Sequence, residues 1–225
     1  MDGVPIFSTW RGGMEPGGAR LVRFRGALNS TTSVVLSGME RGETMEQALQ
    51  AAKDAGIAEA DPTGDLSGMD AAVKVVALAV ALELGSSPLR LEEVAVSGVQ
   101  HVTSADVAAA QAEGKKLRLV GSAELVEVSA DQGTESCIGA EKVKAGEVKA
   151  CPEKVKARQA ARGYVRVEAL EPGDPLYGLD GADAAVTLYT DRLAPVTIMQ
   201  KGSVVEDTAF GEFADIMRAC RPLAV

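Results

Sequence analysis

Glu59-Ala60-Asp61-Pro62-Thr63-Gly64-Asp65-Leu66-Ser67-Gly68-Met69-Asp70-Ala71-Ala72-Val73-Lys74 is the stretch on which the fold and chemistry of this 225-residue chain turn. Four carboxylates (Glu59, Asp61, Asp65, Asp70) and one lysine fall within it, and an apolar run follows. Pro62 and Gly64 stop a helix from running through the first half. Ser67 through Asp70 reads as a capping box, a hydroxyl followed three residues later by an acid. The helix it opens is expected from Asp70 to Leu84, with Gly85 just beyond its end. Asp70 and Lys74 are four apart and share one helix face. Lys74 is the only charge between Ala71 and Leu82, so it either snorkels out of a core or is held there for use. Spacing alone fits an exposed ion pair contributing roughly 0.2–0.5 kcal/mol.

Working outward, charged and apolar residues alternate over 20–28, the pattern of a strand with one wet face. Asn29-Ser30-Thr31-Thr32 supplies caps for a following helix. Thr44 and Gln47 form a second capping box, for a helix through Lys53 that stops at Gly56. Leu91–Val96 reads as a strand, and Thr103 to Asp106 caps a short helix that ends at Gly114. Lys116–Val128 alternates like a sheet strand or a hairpin. Tyr164–Leu170, Ala184–Thr190 and Val196–Met199 are further strands, the last two paired around Asp191-Arg192, and Thr208–Cys220 is a terminal helix. This order predicts an α+β fold: a mixed, largely antiparallel sheet with helices packed on one face. The chain reads as a single domain, with a charged insertion at about 129–163. Within that insertion Ala140–Ala145 and Pro152–Ala157 are near copies twelve residues apart. A solvated charged insertion is the plain reading of it, and a lysine-bearing lid or docking arm the sharper one.

Composition narrows the function. Net charge is −9, basic residues form no cluster, and only eight aromatics are present, which argues against a nucleic-acid partner. The longest apolar run, near 71–82, is shorter than the ~20 residues a bilayer requires. The opening Met1-Asp2-Gly3-Val4-Pro5 lacks a signal-peptide pattern, so a cytoplasmic protein is expected. Three cysteines (Cys137, Cys151, Cys220) and one histidine (His101) fit no structural-zinc spacing, and no metal site is expected. Cys137 and Cys151 read as free thiols, and His101 as a structural or rim residue.

The order of the motifs resembles that of the homoserine dehydrogenase family, in its substrate-binding catalytic domain. Gly26-Ala27-Leu28-Asn29-Ser30-Thr31-Thr32 resembles that family's Gly-Ile-x-Asn-Gly-Thr-Thr. Ala58 through Thr63, then Asp65, Gly68, Asp70, Ala72 and Lys74, keep the spacing of its signature. Leu91–Val94, Gly98-Val99, Thr103–Val107, Asp174-Pro175-Leu176 and Thr190-Asp191 follow as in the family, so the resemblance covers most of residues 20–200. It implies an enzyme acting on a small amino acid of the homoserine or aspartate semialdehyde type, in the aspartate pathway of amino-acid biosynthesis. It implies Lys74 as acid/base with Asp70 as its catalytic partner, and Glu59, Asp65, Asn29 and Thr31 as substrate-binding residues. It also implies a homodimer formed through the sheet, where an apolar face is expected to remain uncovered by helices.

Three departures qualify the resemblance. Ser30 stands where the family has glycine, and Ser33 where it often has asparagine. The family's late Gly-Ala-Gly turn is reduced to Lys201-Gly202-Ser203. The glycines of residues 1–20 do not form Gly-x-Gly-x-x-Gly, and Asp2–Ile6 resembles the segment that follows the family's Rossmann domain. No cofactor is therefore expected to bind this chain alone; NAD(P) would enter with a separate Rossmann-domain chain or a missing domain. The alternatives are a non-redox enzyme that processes amino acids at the same site, and an amino-acid-binding module.

Overall fold

Alternation in the sequence becomes a six-stranded sheet, in which each strand sends one set of side chains to a helix layer and the other set outward. The structure, a computed structural model, describes residues 4–128 and 158–220. β1 (Leu21–Ala27) leads into α2 (Ser30–Glu40), preceded by the short α1 (Ile6–Thr9). Then come α3 (Met45–Asp54), α4 (Thr63–Leu66), α5 (Met69–Ala81), β2 (Val94–Val96) and α6 (Ser104–Ala112). Two long strands, β3 (Lys116–Val128) and β4 (Arg158–Leu170), precede β5 (Ala184–Thr190), β6 (Val196–Gln200) and α7 (Val205–Ala219). Strand order is β2-β4-β3-β1-β5-β6, with β2 and β4 parallel and the other pairs antiparallel. The architecture is the α+β class expected.

The β3–β4 pair is the spine, in register from Lys116↔Leu170 to Val128↔Arg158. Leu117, Leu119 and Ala123 of β3, Val165 of β4 and Phe24 of β1 belong to the main core. Val35 and Leu36 of α2, Val75 and Leu78 of α5, and Val107 of α6 close over them. Burying side chains of this size contributes about 1.5–3 kcal/mol each. The glycine-rich opening also joins this core. Ile6, Trp10 and Met14 are buried and four residues apart, so one side of a short helical segment plugs the bundle.

The outward face corrects one expectation. It is polar: the strand period of two places Arg23, Arg25, Ser122, Tyr164 and Glu168 there, together with Arg166. Arg25 donates to Glu168 (3.2 and 2.5 Å) and to Asp174 (2.6 Å), and Arg23 donates to Tyr164 Oη at 3.2 Å. The apolar residues there are few. Ala27, Val120, Leu170 and Ala185 are covered by Leu176 and Leu179. Arg118 is fully buried and forks onto Glu40 (2.6 and 3.1 Å), while also donating to the carbonyls of Leu117 and Leu179.

Element ends moved for identifiable reasons. The strand expected from Tyr164 begins at Arg158, so residues 158–163 of the expected insertion belong to the sheet. The rest of that insertion, with Cys137, Cys151 and both near copies, lies outside the described residues. Leu91–Glu93 is a 3₁₀ turn, which leaves only Val94–Val96 as strand. α7 starts three residues earlier than expected, where Asp207 Oδ2 accepts from Val204 N–H at 2.9 Å. α3 and α6 keep the capping boxes read at Thr44/Gln47 and Thr103/Asp106. Among the described residues no helix is long and apolar enough to cross a membrane.

Two predictions follow from this frame. α5 stops at Ala81 because Glu83 takes φ 55°, while Leu84 N–H bonds back to Ala79 at 2.9 Å. A left-handed residue with a Cβ costs about 1–2 kcal/mol, and glycine returns about 0.4–1 of it as unfolded-state entropy. Glu83→Gly should therefore raise the melting temperature by a few degrees, read by calorimetry. Burial on its own raises the Glu168 carboxyl, but the bonds and charge of Arg25, with Arg166 and Tyr164, hold it below its ordinary value. Stability from a depressed carboxyl is present above its unfolded value, near 4.5, and is lost as pH falls further. Melting curves should lose stability below about pH 4.5, and Glu168→Gln should flatten that limb.

Candidate functional site

α2 and α5 meet end to end, N-terminus near N-terminus, and the polar cluster forms at that junction. Asn29 is the N-cap of α2, and its Oδ1 accepts from Thr32 N–H (2.8 Å) and Thr32 Oγ1 (2.9 Å). Its Nδ2 donates to Asp65 Oδ1 at 2.6 Å and to Asp70 Oδ2 at 2.7 Å. Lys74 Nζ reaches the same Asp70 Oδ2 at 2.8 Å. Four of the six expected site residues thus form one chain of contacts: Asp65, Asn29, Asp70, Lys74. The second oxygens of Asp65 and Asp70 accept no hydrogen bond among the described residues and remain free to receive a donor.

The other two residues sit apart from that chain. Thr31 is buried and turns its hydroxyl to the Ile57 carbonyl at 3.4 Å, tying α2 to the loop that carries the acids. Glu59 is exposed on that loop and makes no polar contact among the described residues. Nearby, Thr63 Oγ1 (2.6 Å) and Thr63 N–H (3.1 Å) donate to Asp61, and these bonds hold the Asp61 carboxyl below its ordinary value. His101 is exposed in a turn.

The expected capping box at Ser67 is not formed. Gly68 caps α5 at φ 82°, a conformation natural only to glycine, and Ser67 Oγ donates to the Gly64 carbonyl at 3.1 Å. Asp70 is free of the cap because Asn29 and Lys74 claim it. The segment before Gly68 is pinned from below. Val99 N–H bonds the Leu66 carbonyl at 2.8 Å, and a Cβ on Gly98 would stand 2.0 Å from that same oxygen.

Lys74 is neither in the core nor on an open surface. Its side chain is 36% exposed, as is that of Asp70. It also lines a cleft of about 590 Å³ between α1, α5 and α7, walled by the apolar Ile6, Phe7 and Phe210 and by the charged Glu212, Asp215 and Arg218 among others. The arrangement offers an amine with a fixed carboxylate partner, two further carboxylate oxygens in the same cluster, and an adjoining cleft of mixed lining. Sequence reading missed the cleft walls, because residues 4–8 and α7 reach α5 only through the fold. Among the described residues no group of three or more His, Cys, Asp or Glu is arranged to hold a metal.

A model of the homoserine dehydrogenase family matches residues 5–217. The homoserine dehydrogenase of Sulfurisphaera tokodaii is 27% identical over 96% of this chain and 55% of its own. The crystal structure of a homoserine dehydrogenase from Thiobacillus denitrificans superposes with a TM-score of 0.72 at 26% identity, covering 95% of this chain and 42% of that one. A hyperthermophilic archaeal homoserine dehydrogenase mutant in complex with NADPH gives 0.64 at 25%, covering 96% and 52%. The chain spans about half the length of these proteins.

The support under the site is itself testable. Gly98→Ala should force the Leu66–Gly68 backbone away and cost about 1–3 kcal/mol. Thermal denaturation reads the loss, and hydrogen exchange at the Val99 amide should accelerate. A variant as stable and as protected as the parent would contradict the close approach.

Proposed function

The chain belongs to the homoserine dehydrogenase family, and from that premise we propose that it is the amino-acid-binding, proton-handling part of an oxidoreductase that interconverts aspartate semialdehyde and homoserine. The observation that carries this reading is the placement of Lys74: 2.8 Å from Asp70, in one chain of contacts with Asp65 and Asn29, and lining a cleft. The ammonium of the amino acid finds its counter-charge in the free oxygens of Asp65 and Asp70, with Glu59 at the rim. Asn29 and Thr31 belong to the same wall. Lys74, as the ammonium, donates a proton to the aldehyde oxygen when the hydroxyl of homoserine forms, and as the amine takes it back in the reverse direction. Asp70 is its catalytic partner, aiming Nζ and balancing the charge that changes there.

The hydride belongs to a nicotinamide when one is bound, and no residue of this chain is assigned to holding it. Among the described residues the strand-to-helix connections, Leu28-Asn29 from β1 to α2, residues 97–103 from β2 to α6 and residues 201–204 from β6 to α7, carry no Gly-x-Gly-x-x-Gly, which a pyrophosphate seat needs. The nucleotide-binding body is accordingly assigned to a part outside these residues, in the same or another chain. The reading also makes the chain a cytoplasmic enzyme and a homodimer formed through the polar sheet face. Arg166 on that face stays 58% exposed while it pairs with Glu168 at 3.0 Å and lies over the Tyr164 ring. Light scattering at micromolar concentration should return twice the monomer mass.

The reading is tested by substituting Lys74. Homoserine should bind the purified chain in calorimetry, and turnover should appear when a Rossmann domain is supplied. Lys74→Met should cut that turnover by about 10²–10⁴-fold, the typical worth of a positioned acid/base. Melting should change little, because a half-exposed ion pair contributes about 0.5 kcal/mol or less. Unchanged turnover would remove Lys74 from the chemistry. Homoserine binding without turnover under any nucleotide-binding partner would move the site to non-redox amino-acid chemistry.

A further inference from the structure

Asn29 spends both N–H groups of its side chain, and its side-chain oxygen, on bonds inside the protein. An asparagine amide has two N–H groups to give and an oxygen that accepts two bonds. Here the N–H groups go to Asp65 (2.6 Å) and Asp70 (2.7 Å), and the oxygen takes Thr32 N–H (2.8 Å) and Thr32 Oγ1 (2.9 Å). Its backbone carbonyl accepts from Ser33 Oγ (3.0 Å) and Ser33 N–H (3.3 Å) and shares the one Thr32 hydroxyl proton with Oδ1, and the whole residue is 5% exposed. Neither N–H of the side-chain amide is left for a ligand.

We propose that Asn29 is a positioning residue, acting on the amino acid only through Asp65 and Asp70. Two carboxylates placed side by side repel each other, and donors shared between them offset that repulsion. The planar amide holds one carboxylate oxygen on each of its two N–H directions, which spaces those oxygens roughly 4–5 Å apart. The oxygens left over then face a common space beside Lys74. Asp70 lies in the first turn of α5 and Asp65 on the separate turn of α4, so the two do not share a rigid helix. Asn29 bonds both, and the cap it makes with Thr32 fixes its own rotamer against α2. The dual use explains why the residue is asparagine: serine, threonine or aspartate would cap the helix equally well, but none has two N–H groups to give.

The proposal rests on the reading of the cluster as an amino-acid site, and the test separates the two. Asn29→Ser keeps an N-cap oxygen and removes both donors; Asn29→Ala removes both functions. Asn29→Ser should melt within about 2 °C of the parent, because the cap survives. It should lose about tenfold or more in homoserine affinity by calorimetry, because the carboxylates are no longer held in place. Asn29→Ala should lose both. In an Asp65→Ala background Asn29→Ser should cost less than about threefold, as residues acting through one another are not additive. Parent-like homoserine affinity in Asn29→Ser, or losses that add in the double variant, would overturn the proposal; the second would put Asn29 in direct contact with the ligand. If the parent chain binds no homoserine, the functional reading fails, and Asn29 is judged without ligand by the side-chain amide protons in nitrogen–proton correlation spectra. Asp65→Ala and Asp70→Ala should then each displace a different one of its two proton resonances. Displacement of neither would overturn the positioning role on its own.

Discussion

Two carboxylates converging on one amide nitrogen is the arrangement on which the site depends. Asn29 lies where β1 ends and α2 begins, so its position is fixed by the sheet before its side chain does anything. Asp70 lies in the first turn of α5, whose Val75 is fully buried in the main core. Packing α2 and α5 on the same face of the sheet brings both N-termini to one place. Their partial positive charges favour acids there, which offsets the cost of crowding Asp65 and Asp70 together. Lys74 follows one turn later and lines the cleft, while Val75 and Leu78 beside it stay in the core.

The rest of the molecule divides the same way, between a helix-covered apolar face and a polar outer face. That division follows from the two-residue period of the strands. It also explains why the uncovered side presents Arg23, Arg25 and Tyr164 where an apolar face had been expected. Partly shielded ion pairs such as Arg25 with Glu168 and Asp174 make that face specific in shape and charge. The buried Arg118–Glu40 pair anchors the far end of α2 to β3, so both ends of that helix are held by charge-assisted bonds.

The fold class, most strands and the caps at Thr44 and Thr103 were legible in sequence because each depends on local periodicity or a four-residue motif. Pairing Asp70 with Lys74 was legible for the same reason, being an i,i+4 relation. The capping box read at Ser67 and Asp70 does not form, although Ser67 Oγ accepts from Met69 N–H at 3.4 Å. A serine three residues before an acid fits the capping motif, but Gly68 provides the turn and Asn29, 41 residues away in sequence, claims the acid. The extent of β4 was hidden because Gln159-Ala160-Ala161 shows no alternation and is strand only by pairing with β3. The buried spacing of Ile6, Trp10 and Met14 was present in the sequence but masked by four glycines at Gly12, Gly13, Gly17 and Gly18. The cleft wall from α7 was beyond sequence reasoning, since nothing local relates Phe210 to Lys74.

A crystal structure of the chain soaked with homoserine tests the central claim most directly. The account places the ligand ammonium against the free oxygens of Asp65 and Asp70, and the hydroxyl within hydrogen-bond reach of Lys74 Nζ. Homoserine bound elsewhere, or held with its carboxylate against Asp65 and Asp70, would contradict it.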